Sequence, residues 1–272
     1  MYSNINLGGT GKTSTLLEII NHFKINNKNI CVLLKGYGGK KTIFKKVSPD
    51  ESAVQVGDEA ILYSNHVPTY ISTNRRLAVK KILDDVNPDF ILLDDGFQDK
   101  SLFKDKNILM VNGERGFGNG LCLPAGPLRE LIKPALKKAQ FLIIVGDDKT
   151  KIKSMYKNIN IDTLTASIKP LYVDKNKKYL AFSGIGNNQS FFDTLIDNNC
   201  TVLKTVEFPD HHFFSESDLN KLKKTASDNN LSLITTEKDF VRIPKEKRDG
   251  IECLKVKIKL HNMDKFMHKL VN

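Results

Sequence analysis

Leu7-Gly8-Gly9-Thr10-Gly11-Lys12-Thr13 is the stretch from which the rest of the chain is read. A short extended segment, residues 2–7, leads into it. Ser14 to Lys24 follows, with Leu16, Leu17, Ile20 and Phe23 recurring at helical spacing. Strand, glycine-rich turn, Lys-Thr and helix, in that order, lay out a phosphate-binding loop. Glycines let backbone N–H groups turn inward around phosphate oxygens, and the helix N-terminus adds a positive dipole end. Lys12 is placed to reach the β- and γ-phosphates of a nucleotide, and the Thr13 hydroxyl to ligate Mg²⁺. The strict pattern wants a further glycine at position 6, where this chain has Asn6. A glycine turn capping an ordinary helix is the bland alternative, and the surrounding layout favours the nucleotide. The cofactor loop is therefore read as Asn6, Leu7, Gly8, Gly9, Thr10, Gly11, Lys12 and Thr13.

The 272 residues suffice for one large or two medium domains with a proper core. Hydrophobic residues at 40% and charged residues at 27% fit a globular chain rather than a disordered one. A net charge of +11 points to an anionic partner: nucleic acid, an acidic membrane surface or a phosphorylated substrate. A solvated lysine-rich surface is the alternative. Cys31, Cys122, Cys200 and Cys253 lie far apart with no C-x-x-C, which offers no zinc knuckle and fits a reducing cytosol. No apolar run approaches the length of a membrane span.

Past the loop, Asn29 to Leu34 reads as a second buried strand that empties into the glycine-rich Lys35-Gly-Tyr-Gly-Gly39. Gln55-Val-Gly-Asp58-Glu59 then leads into a short helix around Ala60 to Tyr63. Its paired acids read equally as a solvated helix start or as site carboxylates. Thr69 to Ser72 reads as a strand. Arg75 to Asp85 reads as an amphipathic helix with Leu77, Ala78, Ile82 and Leu83 inward. Pro88-Asp-Phe-Ile-Leu-Leu93 runs into Asp94-Asp95-Gly96-Phe97-Gln98, and an apolar strand ending in Asp behind a phosphate loop delivers a carboxylate to the metal. Two more strand-like runs, 106–112 and 140–146, flank Leu123-Pro-Ala-Gly-Pro-Leu-Arg129-Glu130. There the Arg-Glu pair is either a surface ion pair or a phosphate ligand beside a site.

Composition shifts near residue 150. Residues 147–162 are polar and helical at best, and Ser167 to Lys178 reads as a crossover into a second α/β unit. That unit is expected to hold strands at 179–183, 201–208 and 231–235, a last strand at 251–258, and helices at 191–197 and 215–228. Ser215 and Asp218 form a capping signature before the second helix. Pro209-Asp210-His211-His212-Phe213 precedes it. Adjacent histidines suit one zinc ion poorly, and one of them beside a phosphoryl-transfer site orients or tunes a carboxylate base.

Seven motifs in order carry a resemblance: Gly8–Thr13, Gly36–Gly39, Val56–Glu59, Asp94–Gln98, Leu123–Glu130, Asp210–His212 and Thr235–Asp239. Together they resemble the tetraacyldisaccharide 4'-kinase family over nearly the whole chain. The resemblance implies an α/β fold: a P-loop, Rossmann-like kinase domain, set at residues 1–165, and a smaller α/β domain, residues 166–272, with the active site in the cleft between them. It implies transfer of the γ-phosphate of ATP, with Mg²⁺, to the 4'-hydroxyl of a lipid-linked glucosamine disaccharide 1-phosphate on the way to lipid A. The implied partners are that anionic glycolipid and, peripherally, the cytoplasmic face of the bacterial inner membrane, with no nucleic acid. By the same resemblance Lys12 holds the β/γ-phosphates, and Thr13, Asp94 and Glu130 hold the metal with Asp95 close by. Asp58 takes the hydroxyl proton with His211, Arg129 lies at the phosphates, and Arg76 is a lesser candidate for phosphate or substrate.

One departure goes with it. Family members carry a hydrophobic segment ahead of the loop, and Ser3-Asn4 stand where Gly-Asn is expected. Either the start of the sequence is misassigned or cut short, or the protein docks by its basic surface alone, and acyl-chain preference is left open. The competing class is a nucleotide switch of the partitioning or metallochaperone type, which shares G-G-x-G-K-T. Leu7 and the Leu123–Glu130 motif count against it.

Overall fold

The computed structural model describes residues 2–4 and 11–272; Asn6, Leu7, Gly8, Gly9 and Thr10 of the cofactor loop lie outside the described residues. Three sheets organise the chain. Tyr2–Asn4, Ile108–Asn112, Phe141–Val145 and Asp162–Pro170 run parallel in that order, and Val256–Leu260 closes the far edge antiparallel. A second sheet orders Lys45–Lys46, Thr69–Ile71, Ile30–Leu34 and Phe90–Leu93, parallel but for its two-residue edge. Ile30–Leu34 and Phe141–Val145 are buried at every position, as interior parallel strands covered on both faces must be. The helix Lys12–Ile25 turns Leu16, Ile19, Ile20 and Phe23 into a core shared with Val32 and Leu34 of one sheet and Met110 and Ile143 of the other. One helix thus clamps both sheets and fixes where its first residues, Lys12 and Thr13, stand.

The third sheet is fully parallel, in the order Thr201–Glu207, Lys178–Ser183, Ser232–Thr236 and Ile251–Leu254. Helix Glu216–Asp228 packs Leu219 and Leu222 with Phe182 on one face, and helix Asn188–Asp197 packs Phe191, Phe192 and Leu195 on Tyr179 and Ala181 of the other. The expected capping box at Ser215 and Asp218 is formed.

Sheet membership departs from a division at 165/166. Asp162–Pro170 straddles that point as a strand of the first unit, where a crossover is expected from Ser167. The expected last strand, 251–258, is two strands in two sheets. The chain leaves the third sheet at Lys255 and returns to the first. Helix Met263–Val271 then packs Phe266 edge-on to Phe141, ring centroids 5.0 Å apart. No glycine or proline marks the exchange, so the run reads as one element in sequence. In helix Arg75–Val86, Ala78 and Ile82 are buried, but Leu83 is exposed and the inward place at its N-terminus goes to Arg75.

Among the described residues no helix is long and apolar enough to cross a membrane.

Candidate active site

C-terminal ends of parallel strands from all three sheets converge on one cleft of about 600 Å³, the position where open α/β sheets bind ligands. Lys12, Thr13, Glu59, Asp95 and Arg129 line one wall, and Asp210, His211, Glu237 and Lys238 line the other. Ile185, Phe191, Leu254 and Val256 give it an apolar end.

The strand Phe90–Leu93 delivers Asp94 and Asp95 to different tasks. Asp95, in left-handed backbone at φ 48°, accepts from Lys12 Nζ at 3.2 Å and from Arg129 Nη1 at 2.9 and 2.8 Å. Burial opposes its charge, yet Lys12 and Arg129 hold its pKa below the usual carboxylate value. Asp94 is 1% exposed and accepts from Tyr63 Oη at 2.8 Å through Oδ2. Its Oδ1 is buried without a hydrogen-bond partner among the described residues. Burial, then the negative charge of Glu59, pushes the Asp94 pKa up to about 6 against the pull of Lys12. Beneath both aspartates the buried Arg75 donates to the carbonyls of Asp94 and Asp95 and to Asp99, fixing the strand end from below.

Gly57 explains the Val56–Glu59 motif. Its φ is +90°, and a Cβ there would strike the Tyr37 carbonyl oxygen, so only glycine lets the 36–39 turn press on the start of helix Asp58–Ser64. That helix start presents two carboxylates. Glu59 accepts from Thr13 Oγ1 at 3.1 Å and from Lys238 Nζ at 2.7 Å. Burial raises its pKa, but Lys238 and Lys12 outweigh burial and bring it to about 2. Asp58 is buried and does not line the cleft. Its Oδ1 accepts the Glu59 N–H at 2.9 Å, and its Oδ2 accepts from both Nε and Nη2 of Arg242. His211 Nδ1 lies 3.7 Å from the same Oδ2, with the imidazole 39% exposed toward the cleft.

The two adjacent histidines part company. His211 adopts left-handed backbone, φ 59°, and faces the cleft. His212 stacks on Phe208 and meets Asp218 at 3.1 Å, making it part of the second unit's core and helix cap. Two further expectations are corrected. Glu130 meets Gln98 at 3.0 Å and Lys138 at 2.8 Å in a separate hollow, so it is not brought to Thr13 and Asp94. Arg76 is exposed and donates to the Ser101 carbonyl, outside the cleft. Conversely, Tyr63 and Lys238 join the cluster although sequence reading gives neither a role, and Glu59, read there only as one of a pair that is either a solvated helix start or site carboxylates, stands in it as a site carboxylate. Glu59 and Lys238 lie inside motifs already singled out.

The donor set suits a hard divalent cation. A buried carboxylate oxygen without a donor among the described residues, with Thr13 and Glu59 beside it, offers the hard oxygen ligands that Mg²⁺ prefers, and the raised Asp94 pKa marks crowded negative charge that a cation would offset. The loop end, the paired Asp94-Asp95 and the cationic Lys12 and Arg129 define a phosphoryl-transfer protein of the P-loop class.

Comparison with known proteins narrows the class. The family model described as tetraacyldisaccharide-1-P 4'-kinase matches residues 2–272. The chain is 34% identical over 263 residues to a tetraacyldisaccharide 4'-kinase of Gluconobacter oxydans, covering 94% of this chain and 79% of that one. It is 35% identical over 270 residues to its counterpart in Rickettsia bellii, covering 98% and 83%. Among solved structures, the "apo" form of LpxK from Aquifex aeolicus in complex with ATP superposes with a TM-score of 0.77 at 25% identity, covering 99% of this chain and 88% of that one. This chain belongs to the tetraacyldisaccharide 4'-kinase family.

Proposed function

We propose that the protein transfers the γ-phosphoryl group of ATP to the 4'-hydroxyl of a tetraacyl glucosamine disaccharide 1-phosphate, a step in making lipid A. The observation that carries this reading is a cleft with Lys12 and Arg129 on one wall and His211, backed by the buried Asp58, facing it from the other. In the proposed step the sugar oxygen bonds to the γ-phosphorus as the bridging β–γ P–O bond breaks. The hydroxyl proton passes to the Asp58–His211 pair. His211 is the member on the cleft side, and Asp58 stands behind it, outside the cleft lining. Lys12 and Arg129, parked on Asp95, are the charges that meet the phosphate oxygens. Thr13, Glu59 and Asp94 would hold the magnesium ion, which neutralises phosphate charge when bound. Labelled ATP and the lipid acceptor, with product read by thin-layer chromatography, test the reading. A folded protein that leaves the lipid unlabelled refutes it.

The metal assignment has its own test. Glu59→Gln should raise the Mg²⁺ concentration needed for half-maximal activity by about 10–100-fold. An unchanged requirement removes Glu59 from the metal.

We also propose peripheral contact with the anionic inner face of the bacterial inner membrane. The support is the +11 charge and the exposed Leu121, Leu123 and Leu131 in the loop that carries Arg129. Co-sedimentation with anionic vesicles that salt abolishes, and none with zwitterionic ones, is expected. Equal binding to both vesicle types counts against it.

A further inference from the structure

Arg242 lies buried behind the cleft, on the short helix that carries the cleft-lining Lys238. Its side chain is 1% exposed and makes five contacts to four groups. Nε and Nη2 both donate to Asp58 Oδ2; Nη1 donates to Asp239 Oδ1 at 3.0 Å and to the Gly184 carbonyl at 2.6 Å; Nη2 lies 3.5 Å from His211 Nδ1. Asp58 belongs to the first unit, while Arg242, Asp239 and Gly184 belong to the second, so the fork is a bolt between them.

The Gly184 carbonyl matters as much as Asp58. It also accepts the backbone N–H of His211 at 3.0 Å, so one oxygen holds both the guanidinium and the imidazole-bearing loop. That loop lies directly on Gly184: a Cβ there would come within 2.9 Å of the Pro209 carbonyl oxygen and 3.0 Å of His212 Cβ. Asp239 ties the other side. Its Oδ1 accepts the Gly184 N–H at 3.0 Å, and its Oδ2 accepts from Thr236 Oγ1, the cap of the helix that carries Arg242. Arg242 thus bonds both the Asp58 carboxylate and the carbonyl that accepts the His211 N–H; Asp210 Oδ1 also accepts that N–H at 3.0 Å. The 3.7 Å between imidazole and carboxylate is too long to be their own hydrogen bond.

We propose that Arg242 is the positioning residue for the proton-accepting pair, setting the Asp58–His211 geometry through its simultaneous hold on the Asp58 carboxylate and the Gly184 carbonyl. The inference rests on the reading of that pair as the acceptor of the hydroxyl proton. A planar fork with fixed donor directions is needed, because one ammonium cannot span a carboxylate, a second carboxylate and a carbonyl in that plane. Arg242 touches none of the nucleotide-side groups Lys12, Thr13 or Asp95, so its loss should be felt at the acceptor and not at ATP.

The test compares Arg242→Lys, Asp239→Asn and Asp58→Asn in the full chain, reading kcat for lipid phosphorylation, the KM for ATP and the melting temperature. Arg242→Lys keeps the charge and should lower kcat about 10²-fold, the scale of a small misplacement of reacting groups, with the KM for ATP unchanged. Asp239→Asn, which loosens only one side of the fork, should show a smaller loss of the same selective kind. Combining Arg242→Lys with Asp58→Asn should cost no more than Asp58→Asn alone. If Arg242→Lys does not fold, Asp239→Asn decides, since its amide still caps the Gly184 N–H. Parental kcat in Arg242→Lys while Asp58→Asn is crippled overturns the inference and leaves the proton-acceptor reading standing. Parallel loss of kcat and ATP affinity, tracking a lowered melting temperature, reduces Arg242 to a structural bolt and also overturns it. Parental kcat in Asp58→Asn instead sinks the underlying reading, which is a separate failure.

Discussion

Lys12→Ala is expected to lower lipid phosphorylation by about 10³-fold while leaving the protein folded. Lys12 stands at the first position of the helix Lys12–Ile25, whose burial comes from Leu16, Ile19, Ile20 and Phe23 farther along, so the helix does not depend on it. Its partner Asp95 keeps both hydrogen bonds from Arg129, so no buried carboxylate is stranded. On the proposed reading, what disappears is a point charge aimed at phosphates that grow more negative toward the leaving oxygen. Single-turnover kinetics with saturating ATP, alongside circular dichroism, measure the effect. Turnover close to the parent's would remove Lys12 from the phosphate site.

Asp58→Asn is expected to lower kcat by about 10²–10⁴-fold with the KM for ATP little changed. Asparagine keeps the shape, and its oxygen still accepts the Glu59 N–H, but it carries no negative charge for Arg242 and His211 to face. His211→Ala is expected to lose at least as much, because the imidazole is the cleft-side member of the pair. This order departs from the expectation that Asp58 takes the proton itself with His211 as its support. The double variant should lose no more than the worse single one if the two act as a unit. Full additivity, or a defect confined to the KM for ATP, would move Asp58 to nucleotide or metal binding.

The parts of this site that were legible in sequence are those a few neighbouring residues determine. A run such as Phe90–Leu93 must be buried, and whatever ends it stands at a strand's C-terminal edge, which is why Asp94 and Asp95 were found. The same holds for Lys12 and Thr13 at a helix start. Contacts between units left no such trace. Lys238 and Arg242 sit one turn apart on a short helix, and only the packing of that helix on Asp58–Ser64 pairs them with Glu59 and Asp58. Glu130 failed for the opposite reason: neighbours in an irregular loop need not share a direction, and Arg129 turns to the cleft as Glu130 turns to Lys138. The exchange of sheets at Lys255 was silent because extended backbone before and after it keeps one β-forming composition.

That exchange bears on how the molecule is made. Strand Val256–Leu260 supplies the edge of a sheet whose other members emerge from the ribosome at least about 85 residues earlier, a delay of several seconds at ~5–20 residues per second. Through that interval Asp162–Pro170 has an unpaired side, and the Phe141 face lacks Phe266 to cover it. The third sheet, wholly translated by Leu254, can close first. The phosphate-binding half, begun before the third sheet, is therefore completed after it, and a nascent chain has no completed nucleotide-binding half until Val256–Leu260 and Met263–Val271 arrive.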